Sequence, residues 1–103
     1  MNSVNIVGNL TRDPELRHTT AGKPVCDFGL AMAEYPGSES TVFLDVTVWG
    51  PPGESVAKFK KKGEQVAVTG RLRLDQWEKD GEKRQKLSVV AENVQFIGGK
   101  KED

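Results

Sequence analysis

The sequence predicts an all-β fold, a small barrel of five strands with one short helix between strands 3 and 4. Two observations predict it. Apolar and polar residues alternate along five segments, which is the two-residue period of strands that bury one face. After the third segment, two apolar residues spaced by three and a run of lysines indicate a short helix. A chain of 103 residues, of which 36% are hydrophobic, fits one domain with one modest core.

The first three strands follow from apolar residues at every second position. The polar cluster Thr11-Arg12-Asp13-Pro14 ends the first strand, and a loop is predicted from there to about Lys23. A turn-rich connector at 35–40 separates the second strand from the third, which ends at Gly50. The predicted inner-face residues are Val4, Ile6, Gly8 and Leu10, then Cys26, Phe28, Leu30 and Met32, then Val42, Leu44, Val46 and Val48.

The helix is predicted from Glu54 to Lys62, with Gly63 as its C-cap. Two strands joined by an Asp80-Gly81 hairpin follow, and a last short extended piece is predicted at 94–97. The predicted inner-face residues of the two strands are Val66, Val68, Gly70, Leu72 and Leu74, then Leu87, Val89 and Ala91.

This order of elements matches a five-stranded Greek-key barrel of the OB type. An SH3-like barrel and a small open α+β sheet remain alternatives, because periodicity does not fix how the strands pair. We expect the OB-fold domain to span residues 1–97 and residues 98–103 to form a polar, disordered end.

Neither catalysis nor membrane insertion is expected. No stretch is long and apolar enough to span a bilayer, and the N-terminus lacks a secretory signal, so a cytoplasmic location is predicted. One cysteine, Cys26, and one histidine, His18, are too few for a zinc site, and Cys26 is predicted to be a small core residue. Without a Walker A, GxSxG or CxxC motif, no enzyme activity and no cofactor are expected.

The formal net charge is zero, but the charges are spread unevenly along the chain. Residues 56–86 carry ten basic and five acidic side chains, whereas the preceding part is acidic. Such clustering creates a local positive field that attracts phosphates. A solvated, lysine-rich surface is the alternative interpretation.

Large aromatic residues occupy strand positions that should be polar. Phe43 and Trp49 share the outward face of the third strand, and Trp77 follows two arginines on the outward face of the fourth. Single-strand binders combine such stacking surfaces with cations for the phosphates. A second hydrophobic layer or a subunit interface would also explain the aromatics. The predicted nucleic-acid-binding residues are Tyr35, Phe43, Trp49, Arg71, Arg73, Trp77, Lys79, Lys83, Arg84 and Lys86.

The N-terminal run Val4–Arg17 contains the pattern GNL-x-x-DPE-x-R and resembles the bacterial single-stranded DNA-binding proteins. Further similarity lies at 28–31, 48–50, 61–72 and Trp77, and it extends to about Ile97. The resemblance implies an OB-fold subunit that binds single-stranded DNA in replication, recombination and repair. It also implies a homotetramer, with a dimer as the alternative, and a cytoplasmic, nucleoid-associated location.

Carried over by position, Phe43 stands where the family has a stacking tryptophan, Trp49 where it has another aromatic, and Trp77 matches a tryptophan directly. Asp45 and the pair Asp75-Gln76 stand where the family often has polar or basic residues, which predicts weaker phosphate binding. An OB module for protein interaction is therefore an alternative. An RNA-binding variant is another, since stacking does not by itself exclude RNA. The family's acidic C-terminal tip has no counterpart in 98–103, so no recruitment of repair enzymes through that end is expected.

Overall fold

The structure is a computed structural model, and it describes residues 1–97. The predicted disorder of residues 98–103 therefore lies outside the described residues. The elements are β1 (Val4–Leu10), β2 (Glu15–His18), β3 (Pro24–Ala33), β4 (Thr41–Trp49), α1 (Pro51–Phe59), β5 (Gln65–Lys79) and β6 (Glu82–Phe96).

Five of these strands close into a barrel. Hydrogen-bonded neighbours follow the order β1, β5, β6, β4, β3, and β1 then returns to β3 through the pairs Asn9–Ala31 and Leu10–Leu30. All contacts between neighbours are antiparallel except that of β4 with β6, which is parallel. The helix lies between the third and fourth barrel strands, β4 and β5. The predicted all-β barrel of the OB type is confirmed.

The interior is one cluster of buried apolar side chains, to which every barrel strand and the helix contribute. It consists of Leu10, Cys26, Phe28, Leu30, Val46, Val48, Val56, Val66, Val68, Val89 and Ala91. Cys26 is fully buried, as predicted for a core residue. Burial disfavours its thiolate and raises the pKa of the thiol to about 11, and the negative charge of Asp27 acts in the same direction.

The prediction of a loop from residue 11 to about Lys23 is wrong, because β2 lies within it. Glu15–His18 pairs with β3 on the outside of the barrel, in a register that sets Leu16 opposite Cys26. All four β2 residues are exposed. A strand with no buried face has no apolar alternation, so the hydrophobic pattern could not indicate it.

The helix begins and ends earlier than predicted. It starts at Pro51, since the first helical positions need no backbone N–H donor and tolerate proline. It ends at Phe59, and Lys60 is already extended. Gly63 is therefore not a helix cap. It has a positive φ of 90° in the turn that follows and donates its N–H to the carbonyl of Leu10.

Three leucines predicted for the inner face are not in the core. Leu72, Leu74 and Leu87 are 40, 48 and 53% exposed. β1 covers β5 only as far as Gly70, and β4 covers β6 only from Val89 onward. Because β5 and β6 have 15 residues each, their hairpin extends past both neighbours and its inner face is left uncovered. The piece predicted at 94–97 is the end of β6 followed by Ile97 rather than a separate strand.

Candidate nucleic-acid interface

Three of the predicted aromatic residues lie on barrel strands with their rings in solvent. Phe43 and Trp49 in β4 are 68 and 41% exposed, and Trp77 near the tip of the hairpin is 46% exposed. Phe43 and Trp49 are six residues apart on one face of β4, a distance of about 20 Å. These rings therefore do not form a second hydrophobic layer within the chain.

The β5–β6 hairpin gathers most of the predicted cations on the face that carries Trp77. Trp77 lies directly opposite Arg84, and Arg73 lies opposite Ser88. Residues directly opposite each other in an antiparallel pair share a face, and so do alternate residues along one strand. Arg71, Arg73, Lys79, Arg84 and Lys86 thus lie on the Trp77 face.

Two predicted residues lie apart from this group. Lys83 is opposite Glu78, so it belongs to the other face of the hairpin, although it borders an open cavity of about 510 Å³ that Trp77 also lines. Tyr35 is 62% exposed and lies in the loop between β3 and β4, where its carbonyl accepts the N–H of Ser38. Neither side chain contributes to the continuous face of the barrel.

The parallel contact of β4 with β6 joins the aromatics of β4 to the hairpin. Val46 is in register with Val89. Three residues earlier along these two parallel strands, Phe43 therefore lies level with Lys86. The ammonium of Lys86 donates a hydrogen bond to Asp45, two residues from Phe43. The outer faces of β4 and the hairpin are consequently one surface.

Asp45 is the charged centre of this surface. It accepts the hydrogen bond from Lys86, and Arg12 Nη1 lies 3.5 Å from its Oδ1. The hydrogen bond from Lys86 is the largest cause of the lowered pKa of Asp45, and the charges of Lys86 and Arg12 lower it further. Asp45 is therefore ionised at neutral pH and holds two cations.

Other carboxylates engage the remaining arginines of the face. Arg73 Nε lies 2.9 Å from Asp75 Oδ1 at an angle that makes no hydrogen bond, whereas Ser88 donates one to Asp75 Oδ2 over 2.9 Å. Arg71 lies 3.5 Å from Glu92, and Arg84 lies 3.2 Å from Glu82. Within residues 1–97, Lys79 and Lys83 form no ion pair. The face thus carries many cations, most of them already paired.

The structure adds residues that sequence reasoning did not identify. Asp27 of β3 accepts hydrogen bonds from Arg17 and from Thr47, each 2.8 Å long. Lys23 Nζ lies 6.0 Å from the ring centroid of Trp49, in the range of a cation–π contact. Arg17 lies in β2, and Lys23 lies in the turn between β2 and β3. The position of β2 had no signal in the sequence.

Residues 1–97 contain neither a cluster of metal-ligating side chains nor a membrane-spanning helix. Across residues 1–97, no group of three or more histidine, cysteine, aspartate or glutamate side chains could hold a metal ion. No helix there is long and apolar enough to cross a bilayer.

The family model described as the single-strand binding protein family matches residues 1–97. The chain belongs to the single-strand binding protein family. The resemblance seen in the sequence is thereby confirmed, and the OB-type barrel agrees with it. Family membership does not test individual side chains, so the contacts of each site residue stay predictions.

Curated relatives of this family member are named single-stranded DNA-binding proteins. One from Treponema pallidum is 42% identical over 103 residues, covering 95% of this chain and 58% of the relative. Another, numbered 3, from Listeria innocua is 42% identical over 105 residues, covering 97% of this chain and 66% of the relative. A third, numbered 1, from Lactococcus lactis is 38% identical over 106 residues, covering 98% of this chain and 71% of the relative. The chain thus spans about three fifths to two thirds of the length of its first relatives.

Substitution of Lys86 should raise the pKa of Asp45. In Lys86→Ala the main cause of the lowered pKa is gone, while Arg12 still lowers it somewhat. Carboxyl chemical shifts followed by NMR through an acid titration measure this value. Because the folded-state pKa is depressed, the ion pair stabilises the fold above the ordinary carboxyl pKa, and this stabilisation is lost as pH falls through the lowered value.

Lys83→Ala is the matched control, since it removes the same charge from the same strand but on the other face. A pKa of Asp45 that does not change in Lys86→Ala, or that rises equally in Lys83→Ala, would contradict the assigned hydrogen bond.

Proposed function

We propose that the chain binds single-stranded DNA without sequence preference and protects it during replication, recombination and repair. The observation that carries the proposal is a row of exposed rings, Trp77, Phe43 and Trp49, on one continuous outer face that also holds arginines and lysines. Membership in the single-strand binding protein family supports it.

Stacking explains why such a face tolerates any sequence. Every base has a π-face, and stacking on an aromatic side chain contributes about 1–3 kcal/mol per base. Trp77 and Phe43 are exposed enough to accept bases, and the neighbouring cations can meet the phosphates between them. No hydrogen bond to a base edge is needed.

Protection of the strand requires no catalysis. A protein that binds only the open form of DNA shifts the equilibrium away from the duplex by mass action. We therefore propose a binding protein that is not an enzyme and needs no cofactor. Its place of action would be the cytoplasm, in association with the nucleoid.

We further propose that the protein assembles from several copies, as a homotetramer or, alternatively, a dimer. The uncovered inner face of the hairpin supports this, because Leu74 and Leu87 lie directly opposite each other and about half of each side chain is in solvent. Burial of such a patch by another copy would remove apolar area from water.

Sedimentation of the free protein measures the assembly. We expect an oligomer for the unaltered chain and a shift toward monomers in Leu74→Asp/Leu87→Asp. Leu16→Asp is the control, since Leu16 is a comparably exposed apolar residue on β2. A monomer at all concentrations would refute the assembly but not the binding of DNA.

The central test is binding of labelled oligo-dT, followed by fluorescence anisotropy. Trp77→Ala should weaken binding about 5- to 150-fold, the range that corresponds to the loss of one stacked base. Gln76→Ala is the control, because Gln76 is the exposed neighbour of Trp77 on the other face of the hairpin. Its affinity should match that of the unaltered protein.

No salt-sensitive binding of oligo-dT at low ionic strength would refute the proposed function. Equal affinities of Trp77→Ala and Gln76→Ala would remove Trp77 from the site. Competition with a matched oligo-rU distinguishes an RNA-binding variant, for which RNA would be the stronger competitor.

A protein-interaction module on the same fold is the second candidate function. The ion pairs favour it, because Asp45 and Asp75 hold cations that phosphates would otherwise meet. If DNA binds, it must displace these carboxylates. If it cannot displace them, the face remains a neutral network suited to a protein partner.

Asp45→Asn should therefore tighten oligo-dT binding and steepen its salt dependence. The substitution frees Lys86 and Arg12, and each added phosphate contact increases the slope of log affinity against log salt by about 0.7. Glu39→Gln, an exposed loop carboxylate with no ion pair within residues 1–97, is the control for the change in net charge. Equal slopes in both variants would show that Asp45 does not compete with phosphate.

A further inference from the structure

The strand β2 has one edge that no other strand covers. It pairs with β3 along Glu15–His18 and is the last strand in the order of the sheet. All four of its residues are exposed, and within residues 1–97 their backbone groups form no hydrogen bond other than those with β3. An edge with free N–H and C=O groups can accept one more strand.

The turn after β2 shows which backbone groups face this edge. Thr19 donates its N–H to the carbonyl of Lys23 over 2.9 Å and so continues the ladder between β2 and β3. Hydrogen-bonded and non-hydrogen-bonded pairs alternate along an antiparallel ladder. Counting back from Thr19, the backbone groups of every second residue point to β3. Those of Leu16 and His18 therefore point to the free edge.

The charges on the outer face of β2 are not balanced within the described chain. Glu15 lies directly opposite Asp27 of β3, and like charges in that position destabilise a sheet. Arg17 relieves part of this repulsion, because its Nε donates a hydrogen bond to Asp27 Oδ2 over 2.8 Å. Glu15 itself forms no ion pair within residues 1–97. It lies beside a carboxylate and lacks a cation.

We propose that β2 of a second copy pairs with this edge, antiparallel and about a two-fold axis at Leu16. Leu16 then lies opposite Leu16 of the second copy, and their backbones exchange N–H to C=O hydrogen bonds in both directions. Glu15 lies opposite Arg17 of the second copy, which supplies the missing cation. Hereafter this pairing is called the β2 contact, and it is separate from the inner face of the hairpin.

Only one register of the β2 contact brings opposite charges together. Backbone groups that face the edge must meet groups that also face it, so the two strands can shift only in steps of two residues. One such shift sets Arg17 opposite Arg17 of the second copy, and the reverse shift sets Glu15 opposite Glu15. Like charges directly opposite each other are unfavourable. Charge therefore selects the register centred on Leu16.

The mixed signs of its charges distinguish β2 from an edge that is protected against pairing. Proteins protect edges with short strands and charged residues, and a run of one sign repels every further copy. Glu15 and Arg17 instead attract an antiparallel copy of themselves. Leu16, which is 41% exposed, adds an apolar contact at the centre. A strand of another sequence fits equally well only if its charges follow the same order.

The β2 contact is small. Four residues cover far less than the roughly 800 Å² per partner of a standard interface, so it forms at high protein concentration or between copies already held together. It does not set the assembly of the dilute protein. Leu16→Asp therefore remains a valid control for the hairpin patch.

Amide NMR at increasing protein concentration measures the β2 contact without DNA, in the Leu74→Asp/Leu87→Asp background that removes the hairpin patch. The amide resonances of Leu16 and His18 should shift with concentration, because their N–H groups gain partners. Glu15→Arg should weaken this association at least about 2-fold, since it replaces both exposed ion pairs by repulsion.

A mixture of two charge variants provides the matched comparison. Arg17→Glu alone should also associate weakly, whereas an equal mixture of Glu15→Arg and Arg17→Glu should associate as the parent does, because opposite signs again face each other. Glu39→Arg, which makes the same change of charge in an exposed loop, should have no effect. Association that is as weak in the mixture as in each variant alone would overturn the β2 contact.

Cysteines test the register without adding charge. Glu15→Cys mixed with Arg17→Cys should form a disulfide between the two variants, since directly opposite Cα atoms lie about 4.5–5.5 Å apart. Either variant alone places its cysteines diagonally, about 7–8 Å apart, which is beyond the usual reach of a disulfide. Cys26 does not compete, because it is fully buried and its thiol has a pKa raised to about 11.

Mass spectrometry of the oxidised mixture identifies which variants are linked. Arg17→Cys mixed with Glu39→Cys measures random collision, and the Glu15→Cys mixture should exceed it clearly. Equal yields would refute the β2 contact and leave the edge to a partner of another sequence. Links mainly between two molecules of the same variant would exclude the register centred on Leu16. Because neither experiment contains DNA, their outcomes are independent of the proposed function.

Discussion

Closure of the barrel by β1 is the constraint on which the rest of the structure depends. β1 pairs with β5 from Val4 to Asn9 and then with β3 at Asn9 and Leu10, so one short strand joins the two ends of the sheet. Closure gives every barrel strand one face toward a single core. Side chains on the other face must then meet solvent, another copy or a ligand, and the rings of Phe43 and Trp77 are among them.

Closure also explains where the barrel stops protecting apolar side chains. The core extends only as far as the neighbours of β5 and β6 reach, which leaves the distal hairpin as a free two-stranded arm. At Gly70 a bulge interrupts the register, and a Cβ there would collide with the carbonyl of Val90. The bend and twist that a bulge introduces act where the arm leaves the barrel.

Electrostatics divides the molecular surface into two kinds of cationic region. On the Trp77 face, carboxylates such as Asp45 hold the cations at short range, so a phosphate must exchange with an existing partner. At the helix end, Lys61 and Lys62 have no such partner in residues 1–97. Although the net charge is zero, residues 1–97 thus carry one surface region whose cations are ion-paired and one whose cations are not. Salt should weaken the attraction of phosphates to these two regions by different amounts.

The sequence by itself determined most of the core and the outward aromatics, because alternation along a strand is a local property that needs no knowledge of the partner strand. Phe28, Val48 and Trp77 could be assigned to their faces in this way. Only the tertiary structure decided which charges meet, since Asp45 and Lys86 are 41 residues apart and join through the register of β4 and β6. It also decided that Leu74 is exposed, because the neighbouring strands end before they reach it. Local pattern fixes the face of a side chain, whereas strand length and register fix what covers it.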